Sequence, residues 1–404
     1  MPKVIVGMSG GIDSSVTAYL LKKEGYDVEG VSFILWETER QADTYCSFRL
    51  TEEAAKIASH IGIPHNVLDL RNDFLEKVIK PFVGAYIKGI TPNPCILCNK
   101  FIKFPFLLKE AEKRDADFIA TGHYARIERE QDARCKMQVL NNPPIPSLEK
   151  GDKGGFVNSY FLLKKGIDPK KDQSYVLYVL TQKELKRLIL PLGNYKKDEV
   201  RKLANEFNLP AVRRAESQEI CFIEDRNYFR FVKGFAPVEM KPGPIVDMNG
   251  KIMGTHKGIC RYTIGQRKRL GVSYSEPLYV VKIDALKNKI YVGAREAAKR
   301  REFFVEDLNW VKPIWGDGEA MPRPYRASVK VRSTMQDEPA TIYIKTNPPS
   351  PPFTKGGREG LSGGSVHVVF DEPQWAPAPG QSAVFYDGDV VIGGGVINSD
   401  HLQN

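Results

Sequence analysis

Six cysteines in 404 residues are too few for a disulfide framework to hold a chain of this size together. No apolar run is long enough to span a bilayer as a helix. The opening residues, MPKVIVGMSGG, pass straight into a strand and a glycine loop, without the apolar core of a secretion signal. Acidic side chains are also in deficit, 49 Asp and Glu against 59 Lys and Arg, giving a formal charge of +10. These shortages exclude a disulfide-rich secreted domain and a helical membrane protein. They lead us to expect a cytoplasmic protein with reduced thiols and a polyanionic partner. In that setting, two cysteines close in sequence mean metal or catalysis, not a structural bridge.

What is present is ordinary in bulk, 42% hydrophobic and 27% charged, in a chain long enough for two or three domains. The first half alternates short strands (Lys3 to Gly7, Val28 to Trp36, His65 to Leu70, Asp117 to Gly122) with helices. The helices are expected at Ser14 to Lys23, Thr51 to His60, Asn72 to Lys88, Lys103 to Arg114, Ser174 to Lys186 and Lys197 to Phe207. Such alternation predicts an α/β domain with a doubly wound parallel sheet. From about Lys241 the runs shorten and are punctuated by Gly and Pro, as at Leu278 to Ile283, Lys289 to Val292 and Arg326 to Val331, which predicts two smaller β-rich domains. Boundaries near 214 and 295 give domains of 1–214, 215–294 and 295–404. A Pro-rich segment ending in glycines occurs twice, NPPIPSLEKGDKGG at 142–155 and NPPSPPFTKGG at 347–357. Each has too few apolar residues to fold and reads as an inserted hairpin extension, with a ligand- or tRNA-contacting loop as the alternative.

Two motifs carry chemistry. The first, Gly7-Met8-Ser9-Gly10-Gly11-Ile12-Asp13-Ser14-Ser15, lies between a strand and a helix start. Glycines let the backbone approach an anion, and the helix N-terminus with three serine hydroxyls completes a phosphate cradle. It has neither the Gly-Lys-Ser/Thr ending of a P-loop nor the spacing of a dinucleotide loop; an ordinary capped turn is the plain alternative. The second, TPNPCILCN at 91–99, sets Cys95 and Cys98 three positions apart behind two prolines. On its own it admits half a zinc site, a redox dithiol, iron–sulfur ligands, or a nucleophile with a neighbour.

The loop resembles that of the PP-loop ATP pyrophosphatases, which split ATP between its α and β phosphates. Further segments narrow the resemblance: TPNPxxxCN at 91–99, IKF at 102–104, ATGHYAR at 120–126, KDQSY at 171–175, ICFIE at 220–224, YTIGQRK at 262–268 and PGQSAVFYDGDVVIGGG at 379–395. In this order they are similar to the tRNA-specific 2-thiouridylase family, over nearly the whole chain apart from the two insertions. The resemblance implies a PP-loop (adenine nucleotide alpha-hydrolase-like) catalytic domain followed by β-rich domains, the last a β-barrel. It implies a monomeric enzyme that uses ATP and Mg²⁺ to adenylate the C2 oxygen of the wobble uridine of tRNA. Sulfur from a persulfide or sulfide donor protein then replaces that oxygen. Gly7, Met8, Ser9, Gly10, Gly11, Ile12, Asp13, Ser14, Phe33 and Gly122 would contact ATP, with Asp13 helping to place Mg²⁺. Cys221 would carry the persulfide and Cys98 would be the nucleophile that releases its sulfur. Asn93, Pro94 and Cys95 would border the target base, and His123, Lys171, Asp172, Gln173, Arg332, Ser333 and Gln381 would face the tRNA.

Two positions depart from the family pattern. Cys95 stands where many members have Asp, and Arg332-Ser333 where Arg-Tyr is usual, which removes an aromatic stacking surface. The extra thiol opens a second route, with Cys95, Cys98 and Cys221 holding a 4Fe-4S cluster that delivers sulfide at an open iron. Zinc is a third option, for which the sequence supplies no evident fourth ligand, His60 and His65 being unassigned. Two other readings share part of the pattern: a different PP-loop adenylating ligase, and an RNA-binding protein with structural zinc.

Overall fold

The computed structural model describes residues 1–37, 47–130, 160–213, 220–223, 227–236, 241–312, 324–344 and 364–398. Its N-terminal half is built on five parallel strands in the order His65–Asp69, Asp27–Ile34, Lys3–Gly7, Phe118–Ala120, Leu188–Ile189. The central strand, KVIVG, buries Val4, Ile5 and Val6 completely, as a strand covered by helices on both faces must. The chain first winds outward on one side of Lys3–Gly7 and then crosses to Phe118–Ala120 on the other. This reversal opens a crevice at the carboxyl ends of those two strands. Gly7 and Gly122 both lie at that end.

Most helices fall where the apolar pattern places them, but Asn72 to Lys88 is interrupted by a π-turn at Leu75–Ile79, the helix Tyr228–Phe235 is one the pattern does not predict, and two more differ. Ser174 to Lys186 is not one helix but two, Ser174–Leu177 and Gln182–Arg187. Thr181 interrupts it: its hydroxyl accepts from the Lys183 N–H, and the Glu184 carboxylate takes the Thr181 N–H, forming a capping box that starts a new helix. The helix read from Lys103 begins at Phe104, after a π-turn over Asn99–Lys103.

The β-rich remainder forms two bodies. A four-stranded sheet orders Tyr279–Asp284, Lys289–Gly293, Gly243–Val246 and Ile252–His256. Six antiparallel strands, Lys299–Trp310, Val366–Trp375, Glu338–Ile344, Tyr325–Lys330, Ser382–Asp387 and Val390–Ile397, close into a barrel where the last pairs with the first. A hairpin of Ala125–Glu130 and Tyr160–Lys165, from the N-terminal half of the chain, extends the barrel sheet through Val390 and Lys164. Both Pro-rich repeats, 142–155 and 347–357, lie outside the described residues. The strands that flank each of them pair antiparallel with one another.

The barrel is fastened to the α/β half by buried aromatics. Tyr175 OH donates to the Ser382 carbonyl at 2.8 Å, Tyr178 OH lies 3.0 Å from the Ser382 hydroxyl, and Tyr386 OH is 3.2 Å from Ser174. One continuous core contains Ile5 and Leu107 of the parallel-sheet domain together with Val384 and Val391 of the barrel.

Candidate active site

The phosphate loop is ordered by its own side chains. Ser14 Oγ accepts the Ser9 N–H at 3.2 Å and donates to the Gly11 carbonyl at 3.1 Å, while Ser15 Oγ donates to the same carbonyl at 2.7 Å. From the second strand, Ser32 Oγ donates to the Met8 carbonyl at 2.6 Å. Gly122 closes the opposite wall: a Cβ there would stand 2.8 Å from the Asp13 carbonyl carbon and 2.9 Å from the Ser14 nitrogen. Only glycine allows the fourth strand's loop to lie directly on the helix N-terminus. Asp13 Oδ1 accepts from Tyr124 OH at 2.7 Å and from Lys197 Nζ at 2.6 Å. Phe33, half-buried on the second strand, packs between the two apolar clusters on that side of the sheet.

The thiols occupy a neighbouring region. Asn93 caps the short helix Pro94–Cys98, its Oδ1 accepting from the Cys95 and Ile96 N–H groups at 3.2 and 3.4 Å, and Pro94 takes the first helical position. The cap and the proline fix a helical turn that brings Cys95 and Cys98 onto one face. Cys221 comes from far along the chain and is held by its neighbours. Phe222 and Ile223 are buried, and the Phe222 ring meets Phe74, Phe82 and Phe231 with centroids 5.5, 5.3 and 5.0 Å away. Those anchors leave Cys221 itself in solvent contact, as is Cys95, with Cys98 half-buried. An inert core thiol is therefore not the role of Cys221; Cys260, buried, has that character.

Solvent reaches these thiols from one side while protein crowds the rest, and the desolvation pushes all three upward. Cys221 moves furthest, to about 12, because Cys98 and Cys95 add their own negative charge to the desolvation. The opposing charge in each case is Lys103. Its main chain, at the end of the π-turn Asn99–Lys103, also favours the Cys98 thiolate. The same lysine acts on His123, a buried ring held well below the usual imidazole range first by desolvation and then by Lys103. His123 lies 2.8 Å from Thr121 Oγ1 and stacks on Phe104 at 5.8 Å between centroids. Lys103 thus links three thiols to the loop that carries Gly122, and the thiol region adjoins the phosphate crevice.

Residues 2–225 match the family model described as tRNA methyl transferase HUP domain, and 230–294 and 359–397 match its PRC-barrel and the aminomethyltransferase β-barrel models. The tRNA-specific 2-thiouridylase MnmA 2 of Thermoanaerobacter sp. (strain X514) is 43% identical over 401 residues, 98% of this chain and 97% of the relative. The chain belongs to the tRNA-specific 2-thiouridylase family. The 2-thiouridylase MnmA of Clostridioides difficile is 40% identical over 398 residues, 98% of each chain. Among solved structures, the U34-tRNA thiolase NcsA from Methanococcus maripaludis, with its 4Fe-4S cluster, is 18% identical with a TM-score of 0.32, covering 58% of this chain and 65% of that one. A likeness that low carries no argument about this site. The 2-thiouridylase family, with its PP-loop domain, uses ATP, which suits the loop described above.

The positions that the family resemblance turns toward tRNA separate into two groups. Lys171 is half-buried and Ser333 is exposed. Asp172 accepts from the Gly166 and Ser174 N–H groups, and Gln173 Oε1 accepts from the Tyr124 N–H at 3.0 Å. Arg332 donates to the carbonyls of Ile264 and Ala376 at 3.0 and 2.8 Å, and desolvation lowers its pKa. Gln381 Nε2 donates to the carbonyls of Thr91 and Pro92 at 3.0 and 3.4 Å, bracing the thiol loop from the barrel. Among the described residues no group of three or more His, Cys, Asp or Glu is placed to hold a metal. His65 is engaged with Ser32 at 2.8 Å. No helix among the described residues is long and apolar enough to cross a membrane.

Three residues of this region carry no role in the sequence reading: Lys103, Tyr124 and Lys197. The first two sit inside motifs that the sequence does reveal, IKF and ATGHYAR. Lys197 opens a helix, where a lysine normally reads as a solvated surface charge.

Proposed function

We propose that this chain is a tRNA-specific 2-thiouridylase, an ATP-dependent sulfurtransferase acting on the wobble uridine. One observation carries the reading: Cys98 packs in one side-chain cluster with Ile220, Phe222 and Ile223, the neighbours of Cys221 more than a hundred positions along the chain. Gly7 to Ser14, Phe33 and Gly122 hold ATP, and Asp13 supplies a carboxylate of the kind Mg²⁺ accepts alongside phosphate oxygens and water. Asn93, Pro94 and Cys95 border the base. Lys171, Asp172, Gln173, Arg332, Ser333 and Gln381 face the tRNA, with the polar ends of Asp172, Gln173, Arg332 and Gln381 set in place by protein groups. The chain works as a cytoplasmic monomer divided at about 214 and 295.

The uridine C2 oxygen is a poor leaving group. Its attack on the α-phosphorus of ATP expels pyrophosphate and leaves AMP on C2. The terminal sulfur of a Cys221 persulfide, supplied by a donor protein, then attacks C2 and AMP departs. Cys98, as thiolate, attacks Cys221 Sγ; the S–S bond to the transferred sulfur breaks, 2-thiouridine is released, and a Cys98–Cys221 disulfide remains for an external thiol to reduce. Desolvation keeps the resting thiols protonated, and Lys103 is the charge that favours their ionisation.

Nucleoside analysis of tRNA after incubation with ATP, Mg²⁺ and a persulfide donor tests the reading. Wild type should form 2-thiouridine with one AMP per thiolation, and Cys98→Ser or Cys221→Ser should form none. Thiolation at the normal rate by either variant would refute the assignment.

A further inference from the structure

Lys197 is the first residue of the helix Lys197–Glu206 and is only 6% exposed. Its Nζ lies 2.6 Å from Asp13 Oδ1, the oxygen that Tyr124 OH also contacts at 2.7 Å. The ammonium stands 5.6 Å from the Tyr124 ring centroid. At the other end, the Lys197 N–H donates to Asp168 Oδ2 at 2.9 Å, which anchors the base of the side chain. Both donors on Asp13 converge on one oxygen, and among the described residues Oδ2 takes none. A lysine hidden from water costs several kcal/mol unless something of opposite charge is brought to it. Here that partner is a residue of the phosphate loop itself, on the stretch of backbone that Gly122 seals.

We infer that Lys197 is a phosphate-binding residue that rests on Asp13 while the loop is empty and turns to an oxygen of the nucleotide's pyrophosphate when ATP enters. The inference rests on the ATP site proposed above. A polyphosphate offers several negative oxygens at the mouth of the loop, more than the Asp13 carboxylate alone presents to Lys197. The four-carbon stem, fixed at its main-chain end, lets the ammonium swing between them. Asp13, released, then becomes an oxygen donor for the cation that accompanies the nucleotide. The lysine is thus a stand-in cation for the unliganded site, and the ligand groups it recognises are the β- and γ-phosphates, not the nucleoside.

Calorimetric titration of pyrophosphate and of AMP into wild type, Lys197→Met and Lys197→Gln at fixed ionic strength tests this. Loss of a charged hydrogen bond should weaken pyrophosphate by at least about tenfold in both variants, and leave AMP within about threefold. Lys197→Arg should recover part of the pyrophosphate affinity. The glutamine variant keeps a donor toward Asp13 and serves if the methionine variant does not fold. Unchanged pyrophosphate binding would overturn the inference while leaving the ATP site standing. Equal weakening of pyrophosphate and AMP would also overturn it, since that marks a purely structural ion pair. If wild type binds neither ATP nor pyrophosphate, the proposed ATP site falls and the inference with it.

Discussion

Cys221 should be among the least reactive solvent-contacting thiols in the protein. With its pKa at about 12, against about 8.5 for a free cysteine, its thiolate fraction at pH 8 is lower by roughly 2,000-fold. A more basic thiolate is also a better nucleophile. A Brønsted slope of about 0.4–0.5 over about 3.5 pH units returns a factor of roughly 30. The net expectation is reaction with an aromatic disulfide roughly a hundredfold slower than a cysteine peptide at pH 8. The rate should still rise tenfold per pH unit up to pH 10, where the peptide has levelled off. Peptide mass spectrometry after timed exposure isolates Cys221 from the other thiols. The charges around it set the sign of two variants. At alkaline pH, where Cys98 itself ionises, Cys98→Ser removes a like charge and should speed Cys221, whereas Lys103→Gln removes the one charge that favours ionisation and should slow it. Peptide-like reactivity at pH 8, or a rate that levels off below pH 10, would refute the account.

Gly122→Ala should weaken ATP binding at least about tenfold, read by calorimetry, and cost about 1–3 kcal/mol of stability, because the new methyl meets main-chain atoms of Asp13 and Ser14 at 2.8 and 2.9 Å. Gly380→Ala should destabilise the protein by a similar amount, seen in urea denaturation: its φ is +85° and its Cβ would fall 3.0 Å from the Thr91 carbonyl oxygen. His123 is buried with its pKa held far below the ordinary value. The unfolded chain therefore binds a proton below about pH 6.5 that the folded chain refuses, so stability is full above that pH. It should fall as pH drops below it, by up to about 1.4 kcal/mol per unit, until the folded ring itself titrates. His123→Gln should flatten that slope in denaturation measured between pH 7 and pH 5.

The parallel sheet was legible because strands such as Lys3–Gly7 and helices such as Ile12–Lys23 each carry their own period and turn signals. The phosphate loop was legible for a similar reason, since its glycines and serines are contiguous. The break at Thr181 was visible in principle, as Thr and Glu three positions apart, but the apolar pattern runs through it. What local sequence could not show is convergence. Lys103 becomes a charge centre only when Cys221, from a distant segment, is pinned beside it by Phe222. Lys197 reaches Asp13 across 184 positions, and Arg126 and Lys164 belong to a hairpin that joins a barrel more than two hundred residues later. Arg332 and Gln381 read as surface groups, yet the carbonyls that engage them lie in other parts of the chain. Such contacts leave no trace in spacing, because folding alone brings the partners together.

The brace on the thiol loop has a temporal consequence. Thr91 N–H donates to the Pro379 carbonyl, and Gln381 holds the carbonyls of Thr91 and Pro92. A ribosome therefore makes Cys95 and Cys98 nearly three hundred residues before it makes the segment that fastens their loop. Until the barrel closes, the emerging chain has its cysteines but not their setting. The last segments to be made thus decide when the first cysteines gain their brace, and a barrel that fails to close leaves the thiol loop without it.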